Sequence, residues 1–425
     1  MHRTPLGSWC FVLIAALLMG ADWPMFRGPH NDGMSSETNV PLEWGKDKNI
    51  VWRAKLPGPG NGSPIVIGQR VFVVGARDEG QKRELYCFDR ASGRQQWART
   101  VAFDKIMPTH RTNPHGATTP ASDGKRIVVW HGSAGLFCYD LDGNEQWKVD
   151  LGEFRHQWGY AASPIIAGDR VIQNCAPGKR TFVAAFDLNS GSELWRTEEP
   201  IDGDGDKRPD GAPMGTWSTP MVVKIDGRDQ ILCAHPTRLV AYDPADGRII
   251  WYCQGLRSKK GDLAYSSPVL GDGFCVILGG YNGAGMAVKL GGSAEHPASG
   301  DVTATNVLWR KERIPQSIGS GVIVGDYLYV PDAGPETIRC LVARTGEDVW
   351  TTRESGGNHW GSILLAEDRM YVTNQEGTTL VFRPNPQKFD LLARNELGEH
   401  TNATPAISDG QIFIRTYENL YCIGR

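Results

Sequence analysis

The chain has 425 residues and a formal net charge of −3. That length exceeds what one ordinary hydrophobic core sustains, so several domains or a repeat array is expected. The charge excludes a general nucleic-acid binder, which carries a basic field, and the 51 Gly and 26 Pro scattered among short apolar runs, with little sustained 3.6-residue period, point to an all-β fold.

In chain order, residues 1–21 read as a secretory signal peptide: His2 and Arg3 form a basic start, Phe11–Met19 is apolar, and Gly20-Ala21 offers small residues for cleavage. The apolar run is short for a membrane span. Cys10 precedes it, so the arrangement does not match a lipoprotein. Residues 22–48 are a lead segment, and the predicted repeat domain covers 49–425.

Asn49-Ile50-Val51-Trp52-Arg53 is a Trp-bearing strand with no unit before it. Eight copies of one pattern follow: a small residue, usually followed by Pro, an apolar strand, a Gly/Asp turn, a second apolar strand, a third ending near Asp, a Gly turn and a strand carrying Trp. The copies begin at Ser63, Thr119, Ser163, Thr219, Ser267, Ser320, Ser362 and Thr404. The first six end at Trp97, Trp147, Trp195, Trp251, Trp309 and Trp350. The seventh lacks its Trp, and the eighth stops after its third strand, at Tyr421-Cys422. The orphan Trp52 strand and the truncated eighth unit complete each other. The expectation is an eight-bladed β-propeller with four-stranded blades, its ring closed by the N-terminal strand, which removes two open sheet edges.

Residue choices fit this reading. Pro at the start of an inner strand fixes φ where no ladder donor is needed. In Asp187-Leu188-Asn189-Ser190-Gly191, Asp and Asn cap a turn and Gly takes the left-handed conformation. Seven Trp (Trp52, Trp97, Trp147, Trp195, Trp251, Trp309, Trp350) share one repeat position and are therefore assigned to docking between blades, so truncation of Trp195 to Ala should cost about 3–5 kcal/mol. Cys87, Cys138, Cys340 and Cys422 also recur at one repeat position, which marks them as small buried residues rather than a disulfide framework. The absence of CxxC leaves zinc and thioredoxin-like chemistry without support.

The loops leading into the inner strands are the candidate site. Asn61, His110, Arg111, Asn113, His115, Trp158, Tyr160, Trp217, Tyr265, His359, Trp360 and Asn402 are expected at one mouth of the central channel, where aromatic platforms with Asn, His and Arg suit a small polar ligand or a peptide segment. The competing reading is that they plug the channel. Asp202, Asp204, Asp206 and Asp210 alternate in a loop that hard Ca²⁺ would favour, although Lys207 stands where an EF-hand needs Gly. A solvated acidic loop is the alternative. Residues 291–305 read as a surface insertion in blade five.

Ala185-Phe186-Asp187-Leu188-Asn189-Ser190-Gly191-Ser192-Glu193-Leu194-Trp195 resembles the tryptophan-docking motif A-x-D-x-x-[ST]-G-x-x-x-W of pyrroloquinoline quinone (PQQ)-type propeller repeats. Residues 241–251 and 87–97 are similar, and the resemblance covers about 50–425. Asp22-Trp23-Pro24-Met25-Phe26-Arg27-Gly28-Pro29 resembles the start of exported bacterial PQQ-like propellers that carry BamB-like names. The resemblance implies one of two roles. The first is a noncatalytic scaffold in the periplasm or envelope of a Gram-negative-type bacterium, a monomer peripheral to the membrane at most, that binds envelope proteins or a small polar ligand, with outer-membrane protein assembly as its sharpest form. The second is a PQQ-dependent dehydrogenase. The alcohol-oxidising members carry a disulfide between adjacent Cys, and no two Cys are adjacent here. No G-x-S-x-G elbow or HExxH helix occurs either. The expectation is therefore the scaffold, with no catalytic residue, no PQQ and at most a structural Ca²⁺. A carbohydrate-binding propeller is a third alternative, suggested by the aromatic mouth.

Overall fold

A computed structural model describes residues 22–291 and 300–424. The signal-peptide reading of 1–21 and most of the 291–305 insertion lie outside the described residues. Eight four-stranded antiparallel units follow one another around a ring, spanning 65–102, 121–149, 165–198, 221–254, 269–311, 322–352, 364–396 and, for the last, 406–423 together with 50–55. The third blade is typical: Ile165–Ala167, Arg170–Cys175, Phe182–Asp187 and Glu193–Glu198 pair in sequence order from channel to rim. The one α-helical segment among the described residues is Thr303–Asn306.

Ring closure occurs as the orphan strand requires. Ile50–Lys55 pairs antiparallel with Asn419–Ile423, with Trp52 opposite Cys422. The same pairing recurs in every Trp-bearing blade. Trp97 faces Cys87, Trp147 faces Cys138, Trp350 faces Cys340, and Ala takes the small-residue place opposite Trp195, Trp251 and Trp309. A register shift falls just before each of these Trp. Such a bulge bends and twists the outer strand. The indole then reaches the following blade. Trp52, Trp97, Trp147, Trp195, Trp309 and Trp350 donate Nε1–H to the carbonyls of Arg90, Leu141, Leu188, Pro244, Ala343 and Asn385 at 2.7–3.1 Å.

Glycine in the neighbouring turn makes room for the ring. Gly191 has φ +73°, and a Cβ there would lie 2.7 Å from the Trp147 indole. Trp251 departs from the pattern, because its Nε1 bonds Gln230 Oε1 of its own blade at 2.9 Å. The blade it would meet carries the 291–305 insertion in place of the short turn.

Blade seven has Ala393 at the Trp position, opposite Val381. The lead segment supplies an indole instead: Trp44 is 4% exposed, shares a core cluster with Ala393 and Leu397, and is tied down by Asn395, whose Oδ1 accepts the Trp44 N–H at 2.9 Å and whose Nδ2 donates to Leu42 O at 3.0 Å.

The eight Cys among the described residues are all free and buried. Burial pushes the Cys87 and Cys138 thiols up to about 12, the behaviour of inert packing residues.

Candidate functional site

The small residue that opens each repeat has a structural task. Ser63 donates its backbone N–H to Thr119 Oγ1, Thr119 to Ser163 Oγ, Ser163 to Thr219 Oγ1, Thr219 to Ser267 Oγ, Ser267 to Ser320 Oγ, Ser320 to Ser362 Oγ and Ser362 to Thr404 Oγ1, all at 2.9–3.2 Å. This belt of seven links stitches consecutive inner strands where ladder bonds do not reach. Seven of the eight hydroxyl oxygens, all but that of Ser63, accept from a neighbouring blade.

The lead segment crosses the channel just beyond the belt along the inner strands. Trp23 exchanges backbone hydrogen bonds with Val66 of blade one, and Pro24 O accepts from Ser122 N–H of blade two. Met25 packs with Ile165 of blade three. Arg27 donates from Nη2 to Gly321 O of blade six at 2.6 Å. Met34–Ser35 then adds a parallel strand to Leu364–Ala366 of blade seven. Arg27 is fully buried, which lowers its pKa to about 10, so it stays protonated at neutral pH. Phe26 closes the floor.

Above this floor is a blind funnel of about 480 Å³, within the size range of small-molecule sites. Each of the eight loops leading into an inner strand contributes to its wall, through Asn61, Asn113, Trp158, Trp217, Tyr265, Gln316, Trp360 and Asn402 in turn. His110 and Thr112 stand at the rim, where His110 Nδ1 and Thr112 Oγ1 share a 2.7 Å hydrogen bond.

A hydrogen-bonded arc holds the wall in place. Asn402 Nδ2 and Asn61 Nδ2 both donate to Thr112 O, at 3.0 and 2.9 Å. Asn113 Nδ2 donates to Trp158 O at 2.7 Å, and Trp217 Nε1 donates to Gly159 O at 2.9 Å. Trp217 lies 5.9 Å from Trp158 and 5.1 Å from Tyr265, ring centre to ring centre. These hydrogen bonds hold the wall side chains without a ligand, and groups already held in place lower the ordering cost of binding.

Four of the twelve residues expected at the mouth lie elsewhere. Arg111 and His115 line a shallow groove beside the funnel. Tyr160 is 4% exposed; its hydroxyl donates to His115 O at 2.5 Å and accepts from Arg83 Nη1 at 2.7 Å, so it packs between blades. His359 is wholly buried, and burial lowers its pKa to about 4. These four sit one or two residues from wall residues in segments that are not β-strands, so no regular alternation fixes which side chains face the lumen. Phe26, Thr112, Tyr281, Gln316 and Ile318 also line the funnel. For Phe26 the available signal was the aromatic lead motif, which sequence spacing could not place inside the ring.

The Asp loop does not gather its carboxylates. Asp202 pairs with Arg257 at 3.2 Å and Asp210 with Arg208 at 2.5 Å. Asp204 Oδ1 accepts the N–H groups of Asp206 and Lys207. Asp206 Oδ1 accepts the Gln157 N–H at 3.0 Å and stands 3.5 Å from His156 Nε2. Among the described residues no three His, Cys, Asp or Glu side chains are placed to share a metal ion. The loop instead braces the funnel wall, since His156 Nδ1 accepts the Trp158 N–H at 3.0 Å and its ring meets Trp217 edge-on at 4.9 Å.

Among the described residues no Asp, Glu, Lys, Arg or Cys lines the funnel. PQQ is a tricarboxylate held with a divalent or trivalent cation in its dehydrogenases. The wall offers neither a cationic side chain for those carboxylates nor a carboxylate for the cation, so its residues do not fit that group.

The ring of Trp-docked four-stranded blades and the blind central funnel define a repeat propeller of the PQQ type. The chain belongs to the family described as outer membrane protein assembly factor BamB, whose model matches residues 42–102 and 81–352. Among solved structures it is similar to BamB from Moraxella catarrhalis, at 14% identity, covering 88% of this chain and 99% of that one with a TM-score of 0.61. It is equally similar to quinohemoprotein alcohol dehydrogenase from Comamonas testosteroni, at 14% identity, 95% and 80% coverage and a TM-score of 0.62. The computationally designed Ika8 protein is also similar, at 11% identity, 89% and 100% coverage and a TM-score of 0.55. At these identities the likeness establishes the fold. No curated protein matches the chain.

Proposed function

We propose that this protein is a noncatalytic binding scaffold of the cell envelope whose recognition site is the central funnel. The observation that carries this reading is the funnel itself: blind, preorganised and walled by one loop from each of the eight blades. Its titratable side chains are His110, Tyr265 and Tyr281. Nucleophilic chemistry of the triad kind needs a base oriented by a third group beside its nucleophile; the lining holds the His110–Thr112 pair, and no carboxylate orients His110 among the described residues. Export rests on the pattern of residues 1–21. A part in assembling outer-membrane proteins rests on the family description, with partners docking on the flat faces of the ring; the funnel and the faces are separate surfaces.

The test is a titration of the mature protein with PQQ and Ca²⁺, followed by tryptophan fluorescence, with dye reduction assayed on adding alcohols. The expected result is no saturable quenching and no dye reduction. Saturable quenching with alcohol-dependent reduction would make the protein a quinoprotein enzyme and end this reading.

A further inference from the structure

We propose that the funnel's ligand is the uncharged end of a saccharide chain. The inference rests on the reading of the funnel as a recognition site and names what it recognises.

Charge comes first. A ligand that enters a blind cavity goes in by an end. Both ends of a polypeptide are charged, and an unpaired charge taken from water into such a site costs several kcal/mol. Among the described residues the wall holds no Asp, Glu, Lys or Arg to pair with it. The terminal sugar of a neutral glycan carries only hydroxyls.

The wall chemistry suits that end. Trp158, Trp217 and Tyr265 meet at centroid distances of 5.1–6.4 Å with mutual tilts of 37–71°, which makes a corner of aromatic faces against which the C–H face of a pyranose ring can stack. Polar groups beside them await partners. The Nε1 groups of Trp158 and Trp360, the Tyr265 hydroxyl and the Gln316 amide line the funnel with no protein partner among the described residues. Asn61 Oδ1 is buried with no partner either. The belt adds donors: its hydroxyl oxygens accept from backbone N–H groups, and none of them donates to a protein acceptor among the described residues. Mixed donors and acceptors without charge are the complement of a sugar's hydroxyls.

The experiment is isothermal titration of the mature chain with neutral disaccharides (cellobiose, maltose, mannobiose, xylobiose and chitobiose), with the corresponding uronic-acid disaccharides, and with short charged peptides. The expected result is saturable binding of at least one neutral disaccharide that added salt does not weaken, as no ion pair is involved. The uronic acids and peptides should bind measurably less. Trp158→Ala and Trp360→Ala should each weaken the neutral sugar about tenfold or more with the melting temperature unchanged, and Gln316→Ala should weaken it without altering the aromatic wall. Trp195→Ala, a docking variant, should lower the melting temperature. If no neutral disaccharide binds, or if an acidic sugar or a peptide binds more tightly, the saccharide assignment is wrong. A flat PQQ titration alongside would leave the scaffold reading standing, whereas saturable PQQ binding with dye reduction would remove both.

Discussion

Tyr160 illustrates how two positions along one loop can take different roles. From the sequence it belongs with Trp158 in an aromatic loop at the mouth. In the structure its ring is packed against Trp130, 5.1 Å between centres, and its hydroxyl joins Arg83 to the His115 carbonyl. Tyr160→Phe should therefore cost about 1–3 kcal/mol in urea denaturation, because a buried guanidinium and a carbonyl lose their partner. A variant as stable as the parent would contradict this packing role.

His359 carries a second prediction at this scale. Its usual pKa of 6.5 falls to about 4 because burial penalises the imidazolium. Between those values the folded state binds fewer protons than the unfolded chain. Stability is therefore complete above about pH 6.5, declines as pH falls, and levels off below about pH 4. The full loss is of order 3 kcal/mol. His115, also lowered to about 4, and His131, lowered to about 3, act with the same sign, burial being the leading cause in each. Denaturation free energies measured across this window should fall with acid, and His359→Gln should flatten the slope; an unchanged slope would show that His359 titrates normally.

At the scale of elements, the belt and the lead segment position the site. The belt replaces sheet pairing between blades with side-chain acceptors, one from each repeat after the first. Thr219→Val keeps the shape but removes the acceptor for the Ser163 N–H. It should destabilise by about 1–3 kcal/mol, whereas Thr219→Ser should be close to neutral, a difference readable by chemical denaturation. Equal effects of the two variants would mean that the hydroxyl contributes nothing. The Asp loop acts at the same scale: through Asp206, Gln157 and His156 it fixes the backbone that presents Trp158. The acidity legible in the sequence thus serves to hold a loop.

Across the whole molecule, closure couples the two ends of the ordered ring. Ile50–Lys55 covers the edge of Asn419–Ile423, and the cluster around Trp23, Trp44 and Trp52 joins the lead to blades one, seven and eight. Deleting residues 49–56 should leave that edge open. Light scattering should then report concentration-dependent association, and the melting temperature should fall. A monomer of parental stability would mean that closure is dispensable.

The repeat, its eightfold count, the orphan closing strand and the docking role of six of the seven Trp residues were legible in the sequence, because each rests on local periodicity and turn chemistry that a strand pattern expresses directly. Eight of the twelve mouth residues were legible for the same reason, being fixed by their place before an inner strand. The rest was decided by tertiary structure. Whether Tyr160 or Trp158 faces the lumen depends on the path of the loop backbone through Gly159, which has φ +68°. Whether the Asp side chains converge depends on Arg257, Arg208 and His156, brought to them by other loops. That the lead segment floors the channel depends on contacts with blades one, two, three, six and seven, which exist only once the ring has closed. Local sequence determines what a blade is; the neutrality and depth of the funnel are properties of eight blades and a plug assembled together.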